Sequence, residues 1–401
     1  MKILFVAPSL PINNGAGHAI RSYQLYSELQ TFADVDVVTA NSVGISFPLI
    51  REFKKSHNYI THIDIDWRGY IFGVSYSLSK ELRAILINGK YDYVFIRYYN
   101  TAYRLGALKI PNLLLDCDDC YLELLLQSEE NIGSRFLERT QEKVSKFFRQ
   151  FNYVRNIENI HRVTFSKKSS KIPWKKNFRL IQNKISYVEP RRVDFSNVTP
   201  DSYVTILFIG VLNYAPNYEG LFYFVENIWP IIMNACPQVR LKIVGAGLPT
   251  EYFYKWSKDS KIQLCGFVKD IDSVYADVDL TIAPIYKGSG THIKVMESLI
   301  RSKTMVISPL AHRGYEKTLL NEKSLYVAAS TEEFSERIIQ LVNDKNLREK
   351  MGRVGREAVI SHHTIETSPP ELETLLAQTK NKISDSVQIE HSIPNYGGTY
   401  E

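Results

Sequence analysis

Short apolar segments alternate with longer amphipathic stretches along most of the chain. In the first half the apolar segments are KILFVA, DVDVVTA, YDYVFIR, NLLLDC and RVTFS, and in the second half they are VTILFIG, RLKIVG, IQLCGF, LTIAPI and TMVIS. This alternation predicts an α/β fold in which helices cover both faces of parallel sheets.

The two halves open in the same way, with a strand, a turn-rich loop and an aromatic amphipathic helix. These openings start at residues 2 and 204, and 401 residues are more than one ordinary core accommodates. We therefore predict two doubly wound, Rossmann-like domains that face each other across a cleft. We expect domains at 1–183 and 204–360, a linker at 184–203, a helix at 361–380 that crosses back to the first domain, and a polar tail at 381–401.

Charge is unevenly distributed between the halves. Residues 1–200 hold 28 Lys and Arg against 19 Asp and Glu, whereas residues 201–401 hold 21 against 24. A basic half suits an anionic partner such as a lipid surface or a phosphate-bearing substrate, and it also fits a solvated face. The basic stretch 162–184, which includes Trp174 and Phe178, is either a headgroup interface or a solvated loop.

Cysteine content and hydropathy indicate a cytoplasmic protein. Four cysteines in this length form no disulfide framework, and no apolar run is long enough to span a bilayer. The initial MKILFVAPSL is better explained as a first core strand than as a signal peptide, because no small-residue cleavage site follows.

Ligands of open α/β sheets bind beyond the carboxyl ends of the strands, so the loops at these ends carry the candidate sites. After the first strand, Gly15 and Gly17 fit a dinucleotide fingerprint, but Ile20 stands where a small residue is needed. Asp36 lies inside a strand segment instead of at its end. A glycine turn that lets another ligand approach is the favoured interpretation.

The segment DCDDC, residues 116–120, ends another strand. Cys117 and Cys120 have C-x-x-C spacing, but no second pair is near, which argues against zinc or redox chemistry. When carboxylates cluster, the pKa of one of them can rise, and that group is then suited to general acid–base catalysis. Alternatively, Asp118 or Asp119 caps the next helix.

The stretch YKGSGTHIKVMESL, residues 286–299, follows a buried strand and runs directly into a helix. Glycines let the backbone approach a ligand, and amides at a helix start attract anions. His292 and Lys294 would add positive charge, and Glu297 could accept two ribose hydroxyls. A tight turn followed by a surface Glu297–Arg301 ion pair is the alternative.

The region "GFVKDIDSVYADVDLTIAPIYKGSGTHIKVMESLIRSKTMVIS" resembles the signature region of family-4 glycosyltransferases, which have the GT-B fold. LFIGVLNYAPNYEGLFYF, LKIVGAG and LDCDDCYLEL resemble the same family. The resemblance implies a nucleotide-sugar donor in the C-terminal domain, an acceptor in the N-terminal domain, transfer with retention of configuration, and no metal or other cofactor.

The resemblance implies specific site residues. The expected donor-binding residues are Gly210, Asn213, Asn217, Gly266, Phe267, Val268, Gly288, Ser289, Gly290, Thr291, His292, Lys294 and Glu297. The expected acceptor-binding residues are Gly15, Gly17, His18 and Arg21, and the expected catalytic residues are Asp118, Asp119 and Lys294.

Two positions depart from the family pattern. Ser289 stands where many members have a second glutamate, and Val211 stands where many have a diphosphate-binding arginine, with Glu219 near the place of a lysine. The expectation is a retaining glycosyltransferase of cell-surface polysaccharide synthesis, cytoplasmic or at the inner membrane surface. Its partners would be the donor, a glycan or lipid-linked acceptor and no nucleic acid. A non-catalytic GT-B partner subunit or a sugar-nucleotide epimerase are the alternatives.

Overall fold

The fold consists of two parallel β-sheets with helices on both faces. The computed structural model describes residues 1–13, 17–41, 45–65, 77–118, 151–160, 162–167, 175–189, 203–288, 290–367 and 371–376. This architecture confirms the predicted α/β class with two doubly wound sheets.

The first sheet has seven parallel strands in the order β3-β2-β1-β4-β5-β6-β7. Its strands are β1 (Lys2–Ala7), β2 (Asp34–Asn41), β3 (Tyr59–Asp64), β4 (Tyr93–Arg97), β5 (Leu113–Asp118), β6 (Arg162–Phe165) and β7 (Phe178–Leu180). Strand order reverses between β1 and β4, so the loops after these strands diverge and leave a crevice at the carboxyl edge.

The second sheet repeats this arrangement with six parallel strands in the order β10-β9-β8-β11-β12-β13. Its strands are β8 (Val204–Ile209), β9 (Val239–Val244), β10 (Ile262–Gly266), β11 (Leu280–Ala283), β12 (Met305–Ile307) and β13 (Tyr326–Val327). The reversal lies between β8 and β11, directly beside the loops of residues 210–217 and 284–292.

Helices connect the strands. In the first domain they are α1 (Gly17–Gln30), α2 (Phe47–Phe53), α3 (Lys80–Gly89), α4 (Tyr99–Arg104) and α5 (151–158). In the second they are α6 (Ala215–Tyr223), α7 (Trp229–Ala235), α8 (Thr250–Trp256), α9 (Ile271–Ala276), α10 (Ile293–Ile300), α11 (Pro309–His312), α12 (Thr331–Asn343) and α13 (Lys345–His363). A π-helical stretch, Phe224–Ile228, joins α6 to α7.

All ten apolar segments predicted as strands form strands, and three further strands were missed. The missed strands are β3, β7 and β13. β7 and β13 have only three and two residues, and β3 alternates buried with exposed positions at the sheet edge. Edge strands bury less surface, so their sequences carry a weaker apolar signal.

The chain returns to the first domain after α13. Ile185 pairs with Thr364, and the buried side chains of Leu372, Leu375 and Leu376 pack into the core under β1 and β2. Lys184 Nζ lies 3.0 Å from a carboxylate oxygen of Glu371. The C-terminal segment thus contributes to the core of the first domain. The tail 381–401 and most of the linker lie outside the described residues.

Candidate active site

Four residues of the second domain lie close together at the strand reversal. Lys294 Nζ, in the first turn of α10, donates to Asn217 Oδ1 at 2.9 Å, and Asn217 Nδ2 donates to the Val211 carbonyl at 2.9 Å. A Cβ added to Gly210 would lie 2.8 Å from Lys294 Nζ. A side chain at 210 would therefore require the ammonium group to move from the end of β8.

The positive charge of Lys294 has little negative charge close to it. Burial lowers the pKa of Lys294 to about 8, although Glu297 acts in the opposite direction. The ammonium lies 4.6 Å from the centroid of the Phe208 ring, and no carboxylate is within ion-pair distance of it in the parts of the chain that the structure describes. A bound anion would supply the missing negative charge.

The loop before α10 requires its glycines. Gly288 and Gly290 have φ values of 112° and 92°, in the region that favours glycine, while Ser289 lies outside the described residues. Thr291 and His292 complete the approach to the helix. The start of a helix is the place at which anion sites use backbone amides.

His292 does not add positive charge, contrary to expectation. Burial, Lys294 and Lys167 lower the pKa of His292 to about 3, so the imidazole is neutral at pH 7. Its backbone carbonyl accepts from the Tyr315 hydroxyl at 3.2 Å. The residue therefore serves as a neutral part of the helix start, and Lys294 is the cation of this loop.

Glu297 lies one turn further along α10 and is half-buried. Arg301 forms its ion pair with Asp272 at 2.7 Å, and it meets Glu297 only by donating to that residue's backbone carbonyl at 2.8 Å. Burial raises the pKa of Glu297 against the opposing charges of Arg301 and Lys294. The Glu297–Arg301 surface ion pair is thus not formed, and the carboxylate stays available to a ligand.

The expected base pocket lies at the ends of β9 and β10. Gly266 has a φ of 63° and open space where a side chain would be, and Phe267 is 77% exposed. Val268 packs beside the buried cluster of Leu207 and Val244. Asn213 lies close to Gly247, where an added Cβ would be 2.8 Å from Asn213 Cβ. An exposed aromatic ring beside an open glycine turn suits a flat, partly apolar ligand.

Four buried charged residues lie under the corresponding crevice of the first domain. We call Arg21, Arg97, Asp116 and Asp118 the buried charge cluster. Arg21 contacts Asp116 through Nη2 at 2.7 Å and Nε at 3.0 Å, and Arg97 contacts Asp116 at 3.0 Å and Asp118 at 2.9 Å. Thr164 donates to Asp116 at 2.7 Å. Burial would raise the pKa of Asp116, but the two arginines outweigh it and lower the pKa to about 2.

Asp118 ends β5 and points into this cluster. Its φ is 53°, a backbone conformation that is costly for a non-glycine residue, and its side chain is 12% exposed. The Tyr98 hydroxyl is 3.4 Å from the carboxylate that Arg97 holds. The strained, partly accessible carboxylate fits either a functional or a structural role. Asp119, the other candidate, lies outside the described residues.

The expected acceptor residues have different environments. His18 and Gly17 are exposed at the start of α1. Arg21 is 0% exposed and bonded within the buried charge cluster. Direct contact between Arg21 and an acceptor is therefore a wrong expectation, and Arg21 has a supporting place instead. Gly15 lies outside the described residues.

The basic stretch 162–184 is also not the continuous surface that was expected. Phe178 is 2% exposed and packs against Phe165 with ring centroids 5.3 Å apart. Arg162, Lys167 and Lys184 are buried, whereas Lys175, Lys176 and Arg179 are exposed. Phe178 is thus a core residue and cannot insert into a headgroup layer, and Trp174 lies outside the described residues.

Two residues that the sequence did not single out connect the domains. Lys167 Nζ donates to the Gly290 carbonyl at 2.9 Å, and Asn183 donates through Nδ2 to the Thr291 hydroxyl. Gly17 also approaches the second domain, since a Cβ added there would lie 3.4 Å from Ile293 Cδ1. The only sequence signal was the position of Lys167 just after a strand, and the basic composition around it obscured that signal.

The described residues contain no cluster of metal ligands. No group of three or more His, Cys, Asp or Glu side chains is placed to hold a metal ion there, and Cys117 is buried. None of the helices in these ranges has the length and hydropathy of a bilayer-spanning helix.

Comparisons with known proteins define the fold class. A glycosyltransferase from Rickettsia africae is 16% identical with a TM-score of 0.66, covering 96% of this chain and 99% of its own. Sucrose-phosphate synthase from Thermosynechococcus elongatus is 15% identical with a TM-score of 0.67, covering 96% and 100%. Anabaena HepE in complex with UDP and glucose is 13% identical with a TM-score of 0.63, covering 95% and 99%. The chain therefore has the GT-B fold.

A family model matches the second domain. Residues 203–344 match the model of the glycosyl transferases group 1, while no curated protein matches the chain significantly. The predicted resemblance to this group is thereby confirmed over the second domain.

Removing the carboxylate of Asp116 should destabilise the first domain strongly. Asp116→Ala leaves two buried arginines without their shared partner, and such changes cost about 3–5 kcal/mol. Urea unfolding at pH 7 measures the loss. Asp64→Ala, in the same domain with a side chain that is 89% exposed, is the matched control and should change stability by less than about 0.5 kcal/mol.

Asp116→Ala should also change how the free energy of unfolding depends on pH in acid. The folded pKa of Asp116, about 2, lies below its ordinary value of 3.8, so its contribution is complete above pH 4 and is lost as the pH falls towards 2. Asp116→Ala should lack this part of the pH dependence. Equal acid profiles for the variant and the unmodified protein would contradict the assignment.

Proposed function

We propose that the protein moves a sugar from a nucleoside diphosphate sugar to a glycan or lipid-linked acceptor, with retention of configuration, in cell-surface polysaccharide synthesis. The observation that carries the proposal is the convergence of Lys294, Asn217 and Gly210 at the strand reversal of the second domain. This pocket holds an uncompensated ammonium beside a helix start, and a diphosphate has the charge that it lacks.

The rest of the donor fits the neighbouring groups. Glu297 lies three residues after Lys294 on α10, so both side chains emerge on one side of the helix. A carboxylate at this place can accept both ribose hydroxyls. The exposed Phe267 and the open turn at Gly266 offer a surface for the base. HepE, which has the same fold, was crystallised with UDP and glucose.

Lys294 is proposed to stabilise the leaving group. Negative charge grows on the diphosphate as the glycosidic bond breaks, and a fixed cation binds that state more tightly than the ground state. The same cation neutralises the diphosphate without a metal ion, so we propose metal-independent transfer. No further cofactor is needed for this exchange of one oxygen substituent for another.

The retaining route is proposed to be a front-face displacement. The acceptor oxygen forms its bond to the anomeric carbon on the side from which the diphosphate departs, and the departing phosphate oxygen takes the acceptor proton. Asp118, Gly17 and His18 then orient the acceptor hydroxyl. Asp119 and Gly15 are proposed to act with them. Arg97 and Arg21 fix the direction of the Asp118 carboxylate.

A non-catalytic partner subunit is the second candidate, because Val211 and Ser289 depart from the family pattern. It differs from the enzyme in one measurable way. A subunit of this kind would bind a nucleotide and release none from a nucleotide sugar.

Lys294→Met should separate binding from folding. Because burial lowers the pKa of the ammonium, removing the charge should leave the melting temperature of the free protein unchanged or higher. The unmodified protein should gain about 2.7 kcal/mol from a nucleoside diphosphate at 100 times its dissociation constant, and the variant should lose most of this gain. Thermal unfolding with a panel of nucleoside diphosphates and nucleotide sugars measures both effects.

Lys303→Met is the matched control, because Lys303 is also a lysine whose pKa burial lowers, and it donates to the Val278 carbonyl away from the site. It should keep the full ligand effect. Release of free nucleotide from the nucleotide sugars identifies the donor. A Lys294→Met protein that keeps the whole ligand effect would exclude Lys294 from the site, and nucleotide binding without release would favour the partner subunit.

Donor affinity should fall at alkaline pH. The pKa of Lys294 is about 8 in the free protein, and a bound diphosphate should raise it, so the complex holds more protons than its components above pH 8. Affinity should be nearly constant between pH 6.5 and 7.5 and should decrease above pH 8, by at most about tenfold per pH unit. Calorimetry between pH 6.5 and 9 measures this slope. An equal slope in Lys294→Met would assign it to another group.

We also propose that the protein works in the cytoplasm at the inner membrane surface when its acceptor is lipid-linked. Lys175, Lys176 and Arg179 are exposed near one another in sequence and form the basic surface for this contact. Flotation should recover more protein with anionic than with neutral vesicles, and Lys175→Glu with Lys176→Glu should abolish the difference. Equal recovery of the unmodified protein with both vesicles would refute the contact.

A further inference from the structure

The first domain binds the glycine loop of the second domain through two buried polar side chains. Lys167 and Asn183 are 7% and 4% exposed, and they donate to the Gly290 carbonyl and the Thr291 hydroxyl. We call these four residues the interdomain contact. It joins the two domains at the loop that the donor diphosphate is proposed to occupy.

The direction of the Asn183 amide is fixed by the buried charge cluster. Arg21 Nη1 donates to Asn183 Oδ1 at 2.7 Å, and the same guanidinium is bonded to both carboxylate oxygens of Asp116. Since Arg21 has no acceptor atom, the amide oxygen must face it. The amide nitrogen is therefore left to donate to Thr291.

Lys167 is located by the same part of the sheet. It follows Ser166, whose backbone N–H and hydroxyl both donate to the Asp118 carbonyl at 2.9 Å. These two bonds fix the chain just after β6. The lysine side chain then extends to the Gly290 carbonyl. Asp116 and Asp118 thus determine, through Asn183 and Lys167, where the first domain meets the loop.

The loop needs such a constraint. Gly288 and Gly290 both adopt positive φ values, and glycine has several other conformations available. In a planar trans peptide the carbonyl and the next N–H point in opposite directions. Binding of the Gly290 carbonyl by Lys167 therefore sets the direction of the Thr291 N–H. The Thr291 methyl group also lies close to the backbone of Gly314. A Cβ added to Gly314 would lie 2.6 Å from Thr291 Cγ2.

We propose that Lys167 and Asn183 are positioning residues for the donor, which hold the glycine loop in the conformation that binds the diphosphate. The inference rests on the proposed function, because it assigns the diphosphate to this loop. It follows that donor affinity depends on contact between the domains, and that a nucleotide which lacks the second phosphate is insensitive to that contact.

The experiment compares nucleoside diphosphate and monophosphate binding in matched variants. Lys167→Met should weaken binding of the diphosphate about tenfold, as expected for loss of a hydrogen bond to a charged group. It should change monophosphate binding less than twofold. Lys167→Arg, which keeps the cation and the donor, should restore most of the diphosphate affinity. Lys55→Met removes an exposed lysine of the same domain that is 2.6 Å from Glu52, and it should leave both affinities unchanged.

Thr291→Val tests the other half of the contact without a large change in volume. It removes the hydroxyl that accepts from Asn183, and it should also weaken diphosphate binding selectively, even if Lys167→Met folds poorly. Unchanged diphosphate affinity in both variants, or an equal loss for both nucleotides, would overturn the inference. If the unmodified protein bound no nucleotide, the proposed function would fail and this inference with it.

Discussion

The first domain depends on the ion pairing of Asp116 with Arg21 and Arg97. Removing two guanidinium groups from water is costly, and only well-placed carboxylates and hydrogen bonds offset that cost. Arg21 belongs to α1, Arg97 ends β4, and Asp116 and Asp118 end β5. The cluster therefore fixes the relative positions of three elements at the strand reversal.

The two crevices differ in how completely their charges are compensated. In the first domain each arginine is bonded to carboxylates, and Arg97 also donates to the His18 carbonyl and the Ser22 hydroxyl. In the second domain the Lys294 ammonium has an amide oxygen and the face of a phenylalanine ring as neighbours. Charges that pair with one another stabilise a fold, whereas a cation without a paired carboxylate is suited to an incoming anion. Under the proposed function, this contrast favours the second domain as the place of the donor diphosphate.

The sequence predicted those features that depend on local pattern. Buried central strands appear as apolar runs, and Gly288 with Gly290 appear as a turn before a helix, so the sheets and the loop were both foreseen. Properties that depend on the folded surroundings of a residue were not predicted. Arg21 was expected to bind the acceptor, and Phe178 was expected either in a headgroup interface or in a solvated loop, yet both side chains are buried. His292 was expected to be charged, yet burial together with Lys294 and Lys167 keeps it neutral. Each of these properties depends on burial, which the local sequence does not show.

The departures at Val211 and Ser289 also become understandable from the interdomain contact. A diphosphate site with several fixed charges in one domain is largely formed before the domains meet. Under the proposed function, the second domain contributes Lys294 as its cation together with backbone amides, and glycines with several accessible conformations require ordering by another part of the molecule. Lys167 and Asn183 come from the domain that is proposed to hold the acceptor. Under the proposed function, the donor site is therefore most complete when the domains are engaged, which is the arrangement in which an acceptor can replace water at the anomeric carbon.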